Sequence, residues 1–119
     1  AKFVMSSDLK RESDLNLTLG LPGLYWMDIR DYDPTVVAKT LEIPMLIMQG
    51  ERDYQVTKDE LGLWQAGLGD KAEYKSYPNL NHLFITGEGM SVPEEYQTSG
   101  KVDETAISDM ASFIMENLK

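Results

Sequence analysis

The chain has 119 residues, enough for one modest domain core, and its 42% hydrophobic content argues against wholesale disorder. Its net charge of −9, from 20 acidic and 11 basic residues, disfavours nucleic acid or an anionic membrane as the main partner, because binding phosphates needs a concentrated positive face. The absence of cysteine excludes disulfides, thiolate metal sites and cysteine nucleophiles.

Residues 1–24 predict an irregular lead-in. Within them, residues 15–19 alternate apolar and polar like a short strand, and glycine and proline then interrupt the pattern. The N-terminus carries no apolar run typical of a signal peptide, and no stretch approaches the roughly 20 apolar residues that span a bilayer. We therefore predict no membrane span, while the cellular compartment stays open.

A first helix is predicted after residue 33. Asp33 suits the N-cap and Pro34 the first helical position, where a missing amide proton costs nothing. The helix should extend to about Thr40. Its buried side chains are expected to be Val36, Val37 and Leu41.

The centre of the fold is predicted at residues 43–56. Pro44 marks the entry of a strand, because proline cannot lie inside a helix or a central ladder. The unbroken apolar run 45–48 is typical of a parallel strand covered on both faces. Gly50 ends the strand, and Asp53 follows it. Open α/β sheets place their functional groups beyond the carboxyl ends of strands, so Asp53 is a candidate site residue.

The next helix is predicted from a capping box. In such a motif the Thr57 hydroxyl accepts from the Glu60 amide while the Glu60 carboxylate reaches back to the Thr57 amide. Gly67 and Gly69 are expected to end this helix. Its apolar face at helical spacing comprises Leu61, Trp64, Ala66 and Leu68.

The remaining pattern predicts a strand, a loop and a helix. Residues 72–77 alternate as an edge strand does, and residues 79–102 form a long loop, a type of segment that is usually functional or flexible. Asp103 is the expected N-cap of an amphipathic helix over residues 104–118. The apolar stripe of that helix comprises Ile107, Met110, Ala111, Ile114 and Leu118.

The order β–α–β–loop–α indicates an α/β fold with two parallel strands and flanking helices. Parallel strands need neighbours on both sides and helices on both faces, which two strands cannot supply. We therefore expect residues 1–119 to form a single partial domain, with residues 25–119 as its β–α–β–loop–α portion. Such a chain is either part of a larger protein or binds a second copy of itself that covers the unpaired edge of the sheet.

The second candidate site residue is His82, the only histidine of the chain. It follows the second predicted strand, 29 residues after Asp53, so both side chains should emerge at the same edge of the sheet. A carboxylate bonded to one imidazole nitrogen fixes the tautomer and makes the other nitrogen a general base. The alternative is that Asp53 caps a turn and His82 is a histidine of a surface loop.

The motifs around these two residues, G-x-x-D-x-x-V (residues 50–56) and N-H-x-F (residues 81–84), strengthen the first interpretation. With residues 25–34, residues 87–93 and the final helix, they resemble the C-terminal part of α/β-hydrolase-fold serine hydrolases of the dienelactone-hydrolase-like and acyl-peptidase-like kind. The resemblance implies hydrolysis of an ester or similar acyl bond through a serine-bound acyl intermediate. It also implies that Asp53 is the acid and His82 the base of the triad.

The chain departs from that family at the nucleophile. No G-x-S-x-G motif precedes Asp53: Ser6 and Ser7 lack flanking glycines, and Ser91 comes after the histidine. The oxyanion-hole segment is missing too, so we expect this chain to be inactive alone, while an intact parent would act on a small-molecule ester or acyl substrate. A rival interpretation is a small, non-enzymatic α/β module that self-associates through an exposed strand.

No cofactor or metal is predicted. The aspartates Asp8, Asp28, Asp31 and Asp33 do not have the spacing of an EF-hand loop, which favours capping or solvation. Aromatic side chains are interpreted as packing residues rather than as a substrate platform; these are Tyr25, Trp26 and Trp64. Glu51 and Arg52, beside Asp53, either orient the turn or are solvated.

Overall fold

A computed structural model describes residues 20–118, which divide between two compact units with the boundary between Pro34 and Thr35. The strand predicted over residues 15–19 lies outside the described residues. In the first unit, helix α1 spans Gly23–Ile29. No helix within the described range is long and apolar enough to cross a membrane.

The second unit has the predicted order of a β–α–β motif, a long loop and a final helix. A short helix begins at the unit boundary and precedes this motif. The elements are α2 (Pro34–Ala38), β1 (Leu46–Gly50), α3 (Lys58–Leu68), β2 (Glu73–Tyr77) and α4 (Glu104–Asn117). Short 3-10 helices occupy residues 69–71 and 93–97.

Strands β1 and β2 pair in parallel, with Leu46 opposite Glu73 and Gly50 opposite Tyr77. Parallel pairing confirms the α/β class and the partial character of the sheet, which has two strands within residues 20–118. The apolar run of β1 was expected to be covered on both faces, and this is wrong for the chain as it stands. Its residues 46–48 are half-buried, because two strands cannot enclose each other.

Helix α3 starts after Thr57 as predicted and ends at Gly69, one of its two predicted stops, but its N-terminal cap differs from the prediction. The Thr57 side chain makes no capping hydrogen bond. Instead, the Glu60 amide donates to the Thr57 backbone carbonyl at 3.0 Å. The predicted capping box is therefore wrong. The C-terminal cap is Gly69, whose φ of +52° suits glycine.

The face that α3 buries is narrower than expected. Leu61 and Leu68 are buried, Trp64 is half-buried, and Ala66 is exposed, because it lies on the opposite side of the helix. Gly67 does not end the helix. It lies inside the last turn, where an added β-carbon would be 2.4 Å from the Thr35 β-carbon, so it allows α2 to approach.

Helix α2 is shorter than the predicted extent to about Thr40, and its expected core contribution is wrong. Its three predicted core residues are all exposed, by 62% at Val36, 46% at Val37 and 43% at Leu41. Five helical residues make little more than one turn, which cannot present a continuous apolar face. After the helix, the Lys71 ammonium donates to the carbonyls of Lys39 and Leu41.

Helix α4 has the predicted cap, since the Asp103 carboxylate accepts from the amides of Thr105 at 2.9 Å and Ala106 at 3.2 Å. The side that faces the sheet carries Ala106, which is fully buried, and Asp109. Most of the apolar stripe is exposed, with exposed fractions of 49% at Ile107, 36% at Met110, 56% at Ile114 and 66% at Leu118. Residues 20–118 leave an apolar face of this extent uncovered.

The orientation of α4 is set by polar contacts with β2. The Asp109 carboxylate accepts from the Tyr77 hydroxyl at 2.7 Å and from the Lys75 ammonium at 3.0 Å. Burial and the bond to Asp109 raise the pKa of Tyr77 well above its usual value. The bonds from Tyr77 and Lys75 lower the pKa of Asp109. These contacts direct the Asp109 side of α4, rather than its apolar stripe, towards the sheet.

Candidate active site

The turn after β1 brings the two candidate residues together. The Asp53 amide donates to the Gly50 carbonyl at 3.2 Å, which closes a tight turn. Gly50 also has the loop from β2 directly above it. A β-carbon at Gly50 would lie 2.5 Å from the Leu80 carbonyl oxygen and 2.6 Å from that of Asn81. Glycine at this position therefore lets the loop that carries His82 cross the end of β1.

Asp53 and His82 are in direct contact, with Asp53 Oδ2 2.7 Å from His82 Nδ1. The Asp53 side chain is 4% exposed, whereas that of His82 is 42% exposed. Within residues 20–118, nothing hydrogen-bonds the other ring nitrogen, Nε2. The pair thus has a buried acid and an imidazole whose second nitrogen is free of bonds to the described residues.

The second oxygen of Asp53 holds the turn. Oδ1 accepts from the amides of Gln55 at 2.8 Å and Val56 at 3.0 Å. The turn-capping role considered as an alternative therefore exists, and it does not compete with the contact to His82. Each role uses a different oxygen of the carboxylate. The hydrogen bonds to Oδ1 therefore also orient Oδ2 towards the His82 imidazole.

The environment of Asp53 keeps its carboxylate ionised. Burial by itself raises the pKa of Asp53, but the hydrogen bonds from the Val56 amide, from His82 and from the Gln55 amide outweigh it and lower the pKa below its usual value. An ionised acceptor at Oδ2 favours a proton on Nδ1 of His82. That tautomer leaves Nε2 as the basic nitrogen.

Asn81 shapes the turn that carries His82. It is 1% exposed, and its side-chain oxygen accepts from the amides of Leu83 at 3.0 Å and Ile85 at 3.1 Å. Phe84, in the same turn, has a φ of +56°, which non-glycine residues seldom adopt. The N-H-x-F motif is therefore a compact turn closed by its asparagine.

The loop predicted over residues 79–102 has structure of its own. Isolated antiparallel bridges join Leu80 to Thr86 and Ile85 to Val102. Residues 93–97 form a 3-10 helix, which brings Glu95 back to the site. The loop is thus an ordered part of the site.

Arg52 orients the turn rather than being solvated, which decides between the two interpretations of this residue. It is 5% exposed. Its Nε donates to the Gly89 carbonyl at 2.6 Å, and its Nη2 donates to the Glu88 carbonyl at 3.2 Å and to Glu95 Oε1 at 2.6 Å. Its neighbour Glu51 accepts from the Ser76 hydroxyl at 2.8 Å, so it also makes contacts within the fold.

Glu95 is the residue of this site's hydrogen-bond network that sequence reasoning missed. Its carboxylate accepts from Arg52 through Oε1 and from Asn81 Nδ2 through Oε2, the latter at 3.2 Å. The one available signal was an arginine beside the candidate acid and an asparagine beside the candidate base. No spacing rule identifies a partner 43 residues after Arg52.

An aromatic pair lies beside the acid. The rings of Tyr54 and Tyr96 stack with 6.0 Å between their centroids. The Gln55 side-chain amide donates to the Tyr96 hydroxyl at 2.8 Å. Burial raises the pKa of Tyr54, and nearby Tyr96 adds to the effect. The turn after Asp53 is thereby tied to the 3-10 helix of the loop.

Neither a metal cluster nor an activated serine accompanies the pair in the part of the chain that the structure describes. Between residues 20 and 118, no three histidine, aspartate or glutamate side chains are grouped closely enough to hold a metal ion. Ser91 is 2% exposed, and its amide donates to the Arg52 carbonyl. A hydroxyl buried to that extent is inaccessible to a substrate.

Two clefts of about 370 and 400 Å³ border Arg52, and neither is lined by Asp53 or His82.

The fold and the site together define a partial α/β protein with an acid–imidazole pair at the carboxyl ends of two parallel strands. The chain is similar to Esterase EstD of Thermotoga maritima, at 42% identity over 100 residues. The match covers 82% of this chain but 24% of the esterase, so the chain spans about a quarter of that protein's length. No protein-family model matches the chain. No solved structure matches it either.

Proposed function

We propose that this chain is the C-terminal part of an α/β-hydrolase-fold serine hydrolase, with Asp53 as triad acid and His82 as triad base. The substrate class is a small-molecule ester or a related acyl compound. The observation that carries the proposal is the 2.7 Å contact between Asp53 Oδ2 and His82 Nδ1. Similarity to part of an esterase supports ester chemistry over other uses of an Asp–His pair.

In this function, His82 Nε2 takes the proton of a serine hydroxyl as the serine oxygen attacks the ester carbonyl. The ionised Asp53 holds the proton on Nδ1 and stabilises the imidazolium that forms. His82 then gives its proton to the leaving alcohol, which leaves an acyl-serine. In the second half-reaction His82 takes a proton from water as the water oxygen attacks the acyl carbonyl. The bond between the acyl group and the serine oxygen then breaks, and His82 returns the proton to that oxygen, which releases the carboxylic acid and regenerates the serine.

The serine and the oxyanion donors come from outside this chain in our proposal. Their absence from the sequence motifs, together with the burial of Ser91, supports inactivity of the chain alone. The uncovered stripe of α4 and the half-buried β1 agree with a domain whose remaining layers lie elsewhere. An Asp–His pair without a nucleophile has no acyl group to transfer.

A chimera tests the proposal. The region of the Thermotoga maritima esterase that matches this chain is replaced by residues 20–118, and hydrolysis of a short p-nitrophenyl ester is measured. We expect activity in the chimera and a loss of kcat of about 10⁴-fold in Asp53→Asn and about 10⁶-fold in His82→Ala, as for other triads. Asp59 is an exposed carboxylate in the first turn of α3, so Asp59→Asn is the matched control and should retain activity.

Covalent labelling gives an independent readout. A fluorophosphonate probe should label the chimera and leave the isolated chain unlabelled, because an activated serine is required. A chimera that melts cooperatively yet neither hydrolyses esters nor reacts with the probe would contradict the proposal. Equal activity of His82→Ala and the unmodified chimera would contradict it as well.

A second candidate, a non-enzymatic module that self-associates, is favoured by one observation. The apolar stripe of α4 and the edge of β1 are uncovered, and a second copy of the chain would bury both. Under this alternative, dimer mass in solution would be unaffected by His82→Ala. The chimera would then be inactive even when folded.

A further inference from the structure

Glu95 links the residues that immediately precede the proposed acid and base. Arg52 precedes Asp53, and Asn81 precedes His82. The two oxygens of the Glu95 carboxylate accept one hydrogen bond from each, at 2.6 Å from Arg52 Nη2 and 3.2 Å from Asn81 Nδ2. A second bridge therefore runs parallel to the contact between Asp53 and His82.

We propose that Glu95 is a positioning residue that holds Asp53 and His82 at bonding distance, an inference that rests on the proposed function. The carboxylate sets the separation of the two loops because it binds one side chain from each of them. The hydrogen bonds of the Glu95 carboxylate within the described residues go to Arg52 and Asn81 rather than to the pair itself. Its effect is transmitted through Arg52 and Asn81.

The bridge joins two buried side chains, Arg52 and Asn81, through the half-buried Glu95. The Arg52 side chain is 5% exposed, Asn81 is 1% exposed, and the Glu95 side chain is 31% exposed. A short, charge-assisted bond in such surroundings is stronger than one at the surface. Without Glu95, the nearly buried guanidinium would lose its counter-charge, so the loops would move to satisfy it.

His82 depends on its turn for its position. Its side chain is 42% exposed, and within the described residues its ring makes one hydrogen bond, to Asp53. The conformation of that turn depends on Asn81, whose side-chain oxygen accepts hydrogen bonds from the amides of Leu83 and Ile85. A shift of Asn81 therefore displaces His82 relative to Asp53. A displacement of about 1 Å can reduce turnover by about 10²-fold.

The test uses the single histidine of the chain. With ¹⁵N-labelled histidine, the spectrum of the 119-residue protein contains one pair of ring nitrogens, and their shifts report which nitrogen carries the proton. At about pH 9, where a histidine ring is ordinarily neutral, we expect the proton on Nδ1. Asp53→Asn should move it to Nε2, which gives the reference for a broken pair.

Glu95→Ala should shift the signal towards that reference, because the two loops are no longer joined. Glu94→Ala, an exposed carboxylate in the same 3-10 helix, is the matched control and should leave the signal unchanged. Glu95→Gln keeps one acceptor oxygen but turns an amide donor towards the other partner, so we expect an intermediate shift. A residue that merely stabilised the fold would lower the melting temperature without moving the proton.

An unchanged tautomer in Glu95→Ala, with Asp53→Asn behaving as expected, would overturn this inference and leave the proposed function intact. If Glu95→Ala gives no folded spectrum, Glu95→Gln decides by the same criterion. A spectrum that Asp53→Asn does not alter would instead count against the pair and hence the proposed function. In the esterase chimera, Glu95→Ala should lower kcat by about 10²-fold with little change in KM.

Discussion

The Asn81 carbonyl passes over Gly50 so closely that a β-carbon at Gly50 would lie 2.6 Å from its oxygen. This approach, between the end of β1 and the loop after β2, brings Asp53 and His82 together. It is a backbone contact, so no side-chain rotation can relieve it.

Gly50→Ala should destabilise the chain by about 1–3 kcal/mol, as overpacking does, because the loop has to move away from β1. The free energy of unfolding in urea measures this. The same change should remove the Nδ1 preference of His82, since the loop that moves carries that residue. Gly62→Ala is the control, because a β-carbon there meets no atom within 4 Å. Equal stability of Gly50→Ala and the unmodified chain would refute the close approach.

Asp53 should contribute to stability in a pH-dependent way. Its pKa is lowered in the folded state, so its contribution is fully present above the unfolded value of about 4 and is lost as the pH falls through the folded value. Asp53→Asn should therefore lower the melting temperature at neutral pH and have less effect in acid. Thermal melts between about pH 7 and pH 2 measure the difference. A constant difference across that range would exclude the assigned charge interactions.

Tyr77 should show the opposite dependence. Its pKa is raised in the folded state, so the stability that it contributes is present below the unfolded value of about 10 and is lost as the pH rises through the folded value. In an alkaline titration followed by phenolate absorbance, one of the six tyrosines should ionise only as the chain unfolds. Tyr77→Phe should remove that late step. Retention of the step in Tyr77→Phe would assign it to another tyrosine.

The isolated chain should self-associate through the uncovered face of α4. Light scattering is expected to give a mass above that of the 13.5 kDa monomer, rising with salt as the net charge of −9 is screened. Ile107→Lys and Ile114→Lys should restore the monomer, whereas Ser112→Lys, on a different face of the helix, should not. A folded monomer at high concentration in the unmodified chain would be evidence against association.

Helices and strands of this fold could be predicted where the residues that determine them lie close together in the sequence. Asp103 was recognised as an N-cap because its partners are two and three residues away, and β2 was recognised from its alternation. Local signals also failed where tertiary contacts took precedence. Gly67 was expected to end α3, but its missing β-carbon serves the approach of Thr35, which no local pattern reveals.

Some residues of the candidate site could likewise be predicted from the sequence, and others could not. Asp53 and His82 could be selected because strand ends in a parallel sheet meet at one edge. Glu95 could not, because its role depends on how a loop of 24 residues, 79–102, folds back over the turn after β1. The exposure of the α4 stripe was equally beyond sequence, since Asp109 rather than the apolar residues faces Tyr77.

The sequence by itself determined the order of helices and strands from α2 onwards, the parallel sense of the strands and the two residues nominated for chemistry; helix α1 was not predicted. These depend on short-range spacing and on chain-connection rules that hold for many folds. Only the tertiary structure decided how the pair is held, with one Asp53 oxygen on the turn amides and the other on His82, and with Glu95 joining their neighbours. Such contacts depend on distances across the fold, because side chains far apart in the chain meet only after the backbone has packed.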